Sequence, residues 1–158
     1  MNKGLVVLAI ALGIGIGGAA HAQPVELEGI KFEPTVQVGG QALQLNGAGI
    51  RTRVFFKVYV AGLYVPQKST DASALLAQKG PRRVAIHMLR NVDADTFANS
   101  LVDGLKANHD EQQLASFKAQ TDALIANLKA IGEAKKGDAI FFEFTPEAGT
   151  RIVVNGEP

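Results

Sequence analysis

Arg51 and Tyr59 are the side chains of this sequence best suited to hold the polar end of a ligand. A guanidinium stays charged and offers a planar fork of donors that matches a carboxylate or enolate oxygen. Arg51 stands near the head of a run over residues 50–65 that is dense in Val, Phe and Tyr and closes at Pro66. In a regular strand alternate residues share a face. Thr52, Val54, Phe56, Val58 and Val60 then fall on one side, and Arg51, Arg53, Phe55, Lys57 and Tyr59 on the other. The first face is plain core, and the second mixes aromatic rings with cations. A phenol and a guanidinium lining one apolar pocket can hold the head of a molecule whose remainder is hydrophobic. The alternative is that Arg51 and Arg53 are solvated residues where the strand emerges.

Other chemistries find little support. There is no cysteine, hence no disulfide framework, thiolate metal site or cysteine nucleophile. His21 lies in the N-terminal leader described below. His87 and His109 sit in different elements with no carboxylate at ligand spacing, so no metal is expected. His87 reads as an interior or half-buried strand residue, and His109 as a solvated loop residue. No Gly-x-Ser-x-Gly occurs. Residues 46–49, Asn-Gly-Ala-Gly, resemble part of a phosphate loop, but no Lys-Ser/Thr follows and a strand comes next, so these glycines read as turn formers. Lys and Arg number 16 against 15 Asp and Glu, a balance without the clustered basic face that nucleic acid requires. No cofactor is expected.

The elements that must position Arg51 follow from patterning. Residues 25–32 alternate and meet Pro34, which suits one short strand. Runs over 35–38 and 41–45 flank Gly39-Gly40, a hairpin signal, and residues 46–49 form a second turn. After the long strand, 71–79 reads as a short helix ended by Gly80-Pro81. Residues 83–89 carry apolar side chains on both faces, as a central strand does. Asp93 offers an N-cap for a helix with Phe97, Leu101, Val102 and Leu105 at helical spacing. Asn108-His109-Asp110 breaks it, and a longer helix follows over 111–133. Strands at 139–145 and 150–154 close the chain around a turn at 146–149. Strands, helix, strand, two helices and a hairpin make an α+β fold, with helices on one side of a mainly antiparallel sheet.

Residues 1–22 have a charged start, an apolar run from Leu5 to Ile16 and a small-x-small signal at Ala20-His21-Ala22. This reads as a signal peptide cut after Ala22, which gives a periplasmic or secreted mature chain with equal numbers of acidic and basic residues. The run is too short and too rich in Gly and Ala for a membrane span of about 20 residues. Residues 23–158 form one domain, in keeping with about 100–200 residues per domain. Its end in turn residues straight after a strand leaves open a continuation beyond Pro158.

Gly47-Ala48-Gly49-Ile50-Arg51, followed by Phe55-Phe56-Lys57-Val58-Tyr59-Val60-Ala61-Gly62-Leu63-Tyr64, resembles the Gly-x-Arg and Phe-x-Lys…Gly-x-Tyr segment of the chalcone isomerase family. The match is best to its secreted bacterial chalcone isomerase-like branch. The resemblance implies an open-faced β-sandwich, a large antiparallel sheet under a layer of helices, over roughly residues 25–158. In the ring-closing isomerases of the family an Arg holds the oxyanion, and it falls here at Arg51. The family's Thr falls at Tyr59, its helix Tyr at Phe97 and its Asn at Gly104, so the hydroxyl and amide partners are replaced. Non-catalytic members bind fatty acids, with the Arg and a Tyr on the carboxylate.

The reading that follows is a periplasmic, non-catalytic protein that binds a small amphipathic acid such as a fatty acid. Arg51 is its anchor, Tyr59 a secondary polar contact, and Phe55, Phe97 and Leu101 are wall residues. One alternative is a weak isomerase or intramolecular lyase in which Arg51 is the catalytic residue. The other is a structural or interaction module without a ligand. The oligomeric state is not legible from these residues.

Overall fold

A computed structural model of the chain describes residues 24–157, so the expected leader at 1–22 lies outside the described residues. β1 (Val25–Leu27) and β2 (Ile30–Phe32) form a small antiparallel pair. The single short strand expected over 25–32 is therefore a hairpin. Its turn has Glu28 at φ 53° and Gly29 at φ 78°, the double left-handed step that keeps a two-residue turn in register with strand twist. A six-stranded antiparallel meander follows in the order β3 (Thr35–Val38), β4 (Gln41–Arg53), β5 (Phe56–Val65), β6 (Arg82–Met88), β7 (Ala139–Thr145) and β8 (Gly149–Val154). Gly39-Gly40 makes the β3–β4 turn as its sequence predicts, with φ values of 56° and 77°.

The long strand expected over 50–65 does not exist as one element. β4 runs straight through the glycines at 47 and 49, where a turn was expected, and the chain reverses at Val54-Phe55 instead. Asn46 is an extra residue between the pairs Leu45↔Tyr64 and Gly47↔Leu63, and its side-chain carbonyl accepts the Ser69 N–H at 2.8 Å. A glycine inside a strand commonly marks such a bulge rather than a reversal.

Between β5 and β6 lies α1 (Ala72–Ala77), capped by Asp71. Between β6 and β7 come α2 (Ala94–Asn108), α3 (Glu111–Ser116) and α4 (Lys118–Ile131). The helix expected over 111–133 is thus two, broken at Phe117, whose φ of −118° and ψ of 21° leave the helical region. Phe117 turns its ring edge-on to His109, with centroids 5.1 Å apart.

The sheet buries both faces. On one, Phe32, Leu43, Leu45, Val60, Tyr64 and Ala85 form a core under the β1–β2 hairpin. On the other, Ile86, Met88 and Ile140 pack with Tyr59, Phe97 and Phe142 under the helices. Alternation along β5 and β6 sorts residues between the two: Val60 and Tyr64 go to the hairpin side, Tyr59, Ile86 and Met88 to the helix side. The α+β class, with the α2–α4 layer over one face of the sheet, is therefore as the sequence predicts.

Candidate functional site

The helix layer is pinned at one end and stands off the sheet at the other. Asp93 caps α2 by accepting the Thr96 N–H at 2.8 Å and its hydroxyl at 2.7 Å. Just before it, Val92 exchanges backbone hydrogen bonds of 2.8 and 2.9 Å with Ala134, beyond the end of α4. Asp95 adds an ion pair to Lys129 of α4 at 2.7 Å. These ties fix the start of α2 over the sheet, and a cavity of about 870 Å³ lies between α2 and β4–β7. That volume lies within the range of about 300–1,000 Å³ typical of small-molecule sites.

The floor is apolar, made by Val58, Val84, Ile86 and Phe142, and α2 supplies Phe97, Leu101 and Leu105. Beside that apolar ridge runs a second of small and polar residues at four-residue spacing: Thr96, Ser100, Gly104 and Asn108. Their polar groups are already engaged. The Ser100 hydroxyl donates to the Thr96 carbonyl at 2.9 Å, the Asn108 amide to the Gly104 carbonyl at 2.7 Å, and the Thr96 hydroxyl to Asp93. Gly104 adds space, since a Cβ there would meet nothing within 4 Å.

Arg51, Arg53, Arg90 and Tyr59 line the cavity as well, and among the described residues no Asp or Glu does. Among the described residues none of these three guanidinium groups has a carboxylate partner. Arg90 lies over the Phe56 ring at 4.4 Å from its centroid, a cation–π contact.

Arg51 and Tyr59 do meet on one face, by a different route from the one their spacing suggested. Because the chain turns at Val54-Phe55, they are direct cross-strand partners of β4 and β5. Their Cβ atoms therefore lie on the same side of the sheet, at the ~4.5–5.5 Å separation of such pairs. Val58 is the extra residue between the pairs Arg51↔Tyr59 and Thr52↔Lys57, and it joins Tyr59 in the lining instead of facing away.

Phe97 and Leu101 line the cavity as expected, but Phe55 does not. It sits in the turn at 90% exposure, so its assignment to a wall is corrected. The face assignment over 51–59 fails for the same reason, since alternation cannot be counted through a reversal. His109 departs from expectation too. It is half-buried at the end of α2, its Nδ1 is 3.0 Å from the Leu105 carbonyl, and it lines the cavity. His87 is half-buried in β6 between the rings of Phe32 and Phe141, and its burial lowers its pKa from the ordinary 6.5. Sequence reasoning missed Arg90, Ile86 and Phe142 as lining residues. The Thr96-Ser100-Gly104-Asn108 ridge was the available signal for the α2 side, and nothing local marks Arg90.

Two residues of the Gly47–Tyr64 segment turn out to build the fold. A Cβ on Gly62 would fall 2.6 Å from the Phe32 ring, so only glycine seats that buried aromatic. The Tyr64 hydroxyl donates to the Glu33 carbonyl at 3.0 Å, which ties the end of the β1–β2 hairpin to the sheet.

Fold and site together define a class: an α+β protein whose antiparallel sheet is roofed on one face by helices over an apolar cavity with a cationic mouth. The chain belongs to the chalcone isomerase-like family, whose model, described in those words, matches residues 24–158. No curated protein sequence matches it significantly. Among solved structures it is similar to a fatty-acid binding protein of Arabidopsis thaliana. The TM-score is 0.65 at 10% identity, over 85% of this chain and 79% of that one. At that identity the likeness is one of fold.

Proposed function

We propose that this protein is a non-catalytic binder of a small amphipathic acid, with a fatty acid as the ligand class, exported to the periplasm. The observation that carries the reading is the cavity: an apolar volume of about 870 Å³ with Arg51 and Tyr59 paired across strands at its edge. An alkyl chain fits the Ile86, Phe97, Leu101 and Phe142 walls, and a carboxylate fits the Arg51 fork with the Tyr59 phenol as second donor. The resemblance to a fold that serves a fatty-acid binding protein supports the same ligand. Against turnover stand Phe97 and Gly104, which carry no hydrogen-bonding side chain where the family's isomerases carry Tyr and Asn. Losing one oxyanion donor costs about 10²–10³ in rate.

The test is native mass spectrometry with lipid extraction on protein purified from a bacterial periplasm, beside Arg51→Ala and Gly104→Leu. A stoichiometric acid in the parent protein is expected, lost in Arg51→Ala for want of an anchor and in Gly104→Leu for want of space. Neither variant is expected to lower the parent's thermal stability, since Arg51 is exposed and a side chain at 104 would meet no packed neighbour. An empty protein that also refuses added palmitate overturns the reading. So does chalcone turnover that vanishes in Arg51→Ala, which instead makes Arg51 a catalytic residue. The same preparation tests export, because a chain mass that begins at Gln23 is expected.

A further inference from the structure

The β4–β5 turn carries three consecutive large apolar residues into solvent: Val54 at 76%, Phe55 at 90% and Phe56 at 58% exposure. Scattered exposed apolar side chains are ordinary, but a contiguous group at a projecting tip marks an interaction surface. Val54 holds φ at 57°, a conformation that favours glycine and is an outlier for a β-branched residue. A bulky apolar side chain is thus kept where local conformation opposes it, as at functional sites.

The surroundings of the tip are cationic. Arg53 is the cross-strand partner of Phe56, Arg90 stacks on the Phe56 ring at 4.4 Å, and Arg51 lies two residues before Arg53 on β4. None of the three has a carboxylate partner among the described residues, whereas Lys57 is neutralised by Glu28 at 2.7 Å. An apolar wedge with unpaired guanidinium groups around it matches one partner in chemistry: a bilayer surface with anionic headgroups. Phe and Val enter the acyl boundary while Arg stays with the phosphates. A second copy of the chain would have to meet these cations with the same cations, because an isologous contact sets identical patches against each other.

We propose that the Val54-Phe55-Phe56 tip docks this protein on anionic lipid surfaces. Arg53, Val54 and Phe56 also line the cavity, so docking sets its mouth against the bilayer. A ligand could then pass between membrane and cavity without crossing bulk water. That last consequence rests on the ligand reading above; the docking does not.

The experiment is vesicle co-sedimentation of the purified protein, at low and high salt. One set of vesicles is phosphatidylcholine, the other an equimolar mixture with phosphatidylglycerol. Binding to the mixed vesicles is expected, weak on phosphatidylcholine and lowered by salt. Phe55→Ser is expected to reduce it about tenfold through the lost apolar insertion. Arg53→Gln is expected to reduce it about fivefold at low salt, and little at high salt. Both positions are exposed, so circular dichroism and thermal unfolding of the variants are expected to match the parent. The proposal is overturned by absence of binding to either vesicle, or by binding indifferent to Phe55→Ser and to salt. Concentration-dependent dimerisation that Phe55→Ser abolishes, without vesicle binding, overturns it too and assigns the tip to a second copy. Vesicle binding by a protein that carries and accepts no acid removes the ligand reading alone.

Discussion

Gly62 and Gly104 lack a Cβ for opposite reasons. At Gly62 the space is taken by Phe32, one of the most deeply buried side chains, and at Gly104 the space is open and adds to the cavity. Overpacking a filled core costs about 1–3 kcal/mol. Gly62→Ala is therefore expected to lower stability by about that amount in denaturant unfolding, while Gly104→Ala, on an open helix face, raises it by about 0.4–1 kcal/mol. At this scale the sequence showed that the segment from Gly47 to Tyr64 matters. It singled out Arg51 and Tyr59 as candidate site residues but did not distinguish the structural parts of Gly62 and Tyr64, which hold the hairpin strap. That distinction depends on which face each residue takes, and hence on two bulges and a turn.

At the scale of elements, chain reversals with a chemical signature were legible and those without one were not. Gly39-Gly40 supplies two residues that accept positive φ, and Asp71, Asp93 and Asp110 each cap a helix start with a side-chain oxygen. Val54-Phe55 carries the residues of a strand interior, so pattern counting runs straight through a turn held by pairing with β4. The break at Phe117 is equally silent, because its aromatic packing against His109 comes from elsewhere in the chain. The mismatch at Val54 has a measurable consequence. Asn adopts positive φ at lower cost than a β-branched residue, so Val54→Asn is expected to stabilise the protein by about 1 kcal/mol in denaturant unfolding.

Across the whole molecule, the last three strands share a buried carboxylate. Glu143 of β7 is 5% exposed and pairs with Arg83 of β6 and, at 2.7 Å, with Arg151 of β8. Burial pushes its carboxyl up, but the hydrogen bonds and charges of Arg151 and Arg83 outweigh burial and hold it below the ordinary 4.5. The folded state therefore binds this proton less well than the unfolded chain, and the stability gained is complete above 4.5 and is lost as pH falls through the folded value. His87 has the same sign for a different reason. Its buried ring favours the neutral form, so its contribution is complete above 6.5 and fades as the solution acidifies below that value. Thermal unfolding followed from about pH 8 to about pH 2 is expected to show a falling midpoint in two stages, carboxylate last. His87→Phe, which keeps a ring between Phe32 and Phe141, is expected to remove the first stage alone. A midpoint that declines identically in the variant counts against this assignment.

Alternating apolar residues, glycine pairs, caps and helical spacing were sufficient in the sequence to determine an α+β fold with helices on one face of an antiparallel sheet. These are local signals, set by backbone geometry within a few residues. Arg51 was also legible as a candidate, because its guanidinium stands among aromatic residues in a patterned run, and it does line the cavity. The partnership of Arg51 with Tyr59, the arrival of Arg90 from the end of β6 and the departure of Phe55 into solvent were decided by tertiary structure alone. Each depends on strand register, which is a property of two segments at once. A single residue added to one strand, as Val58 is here, moves a side chain from one face of the sheet to the other.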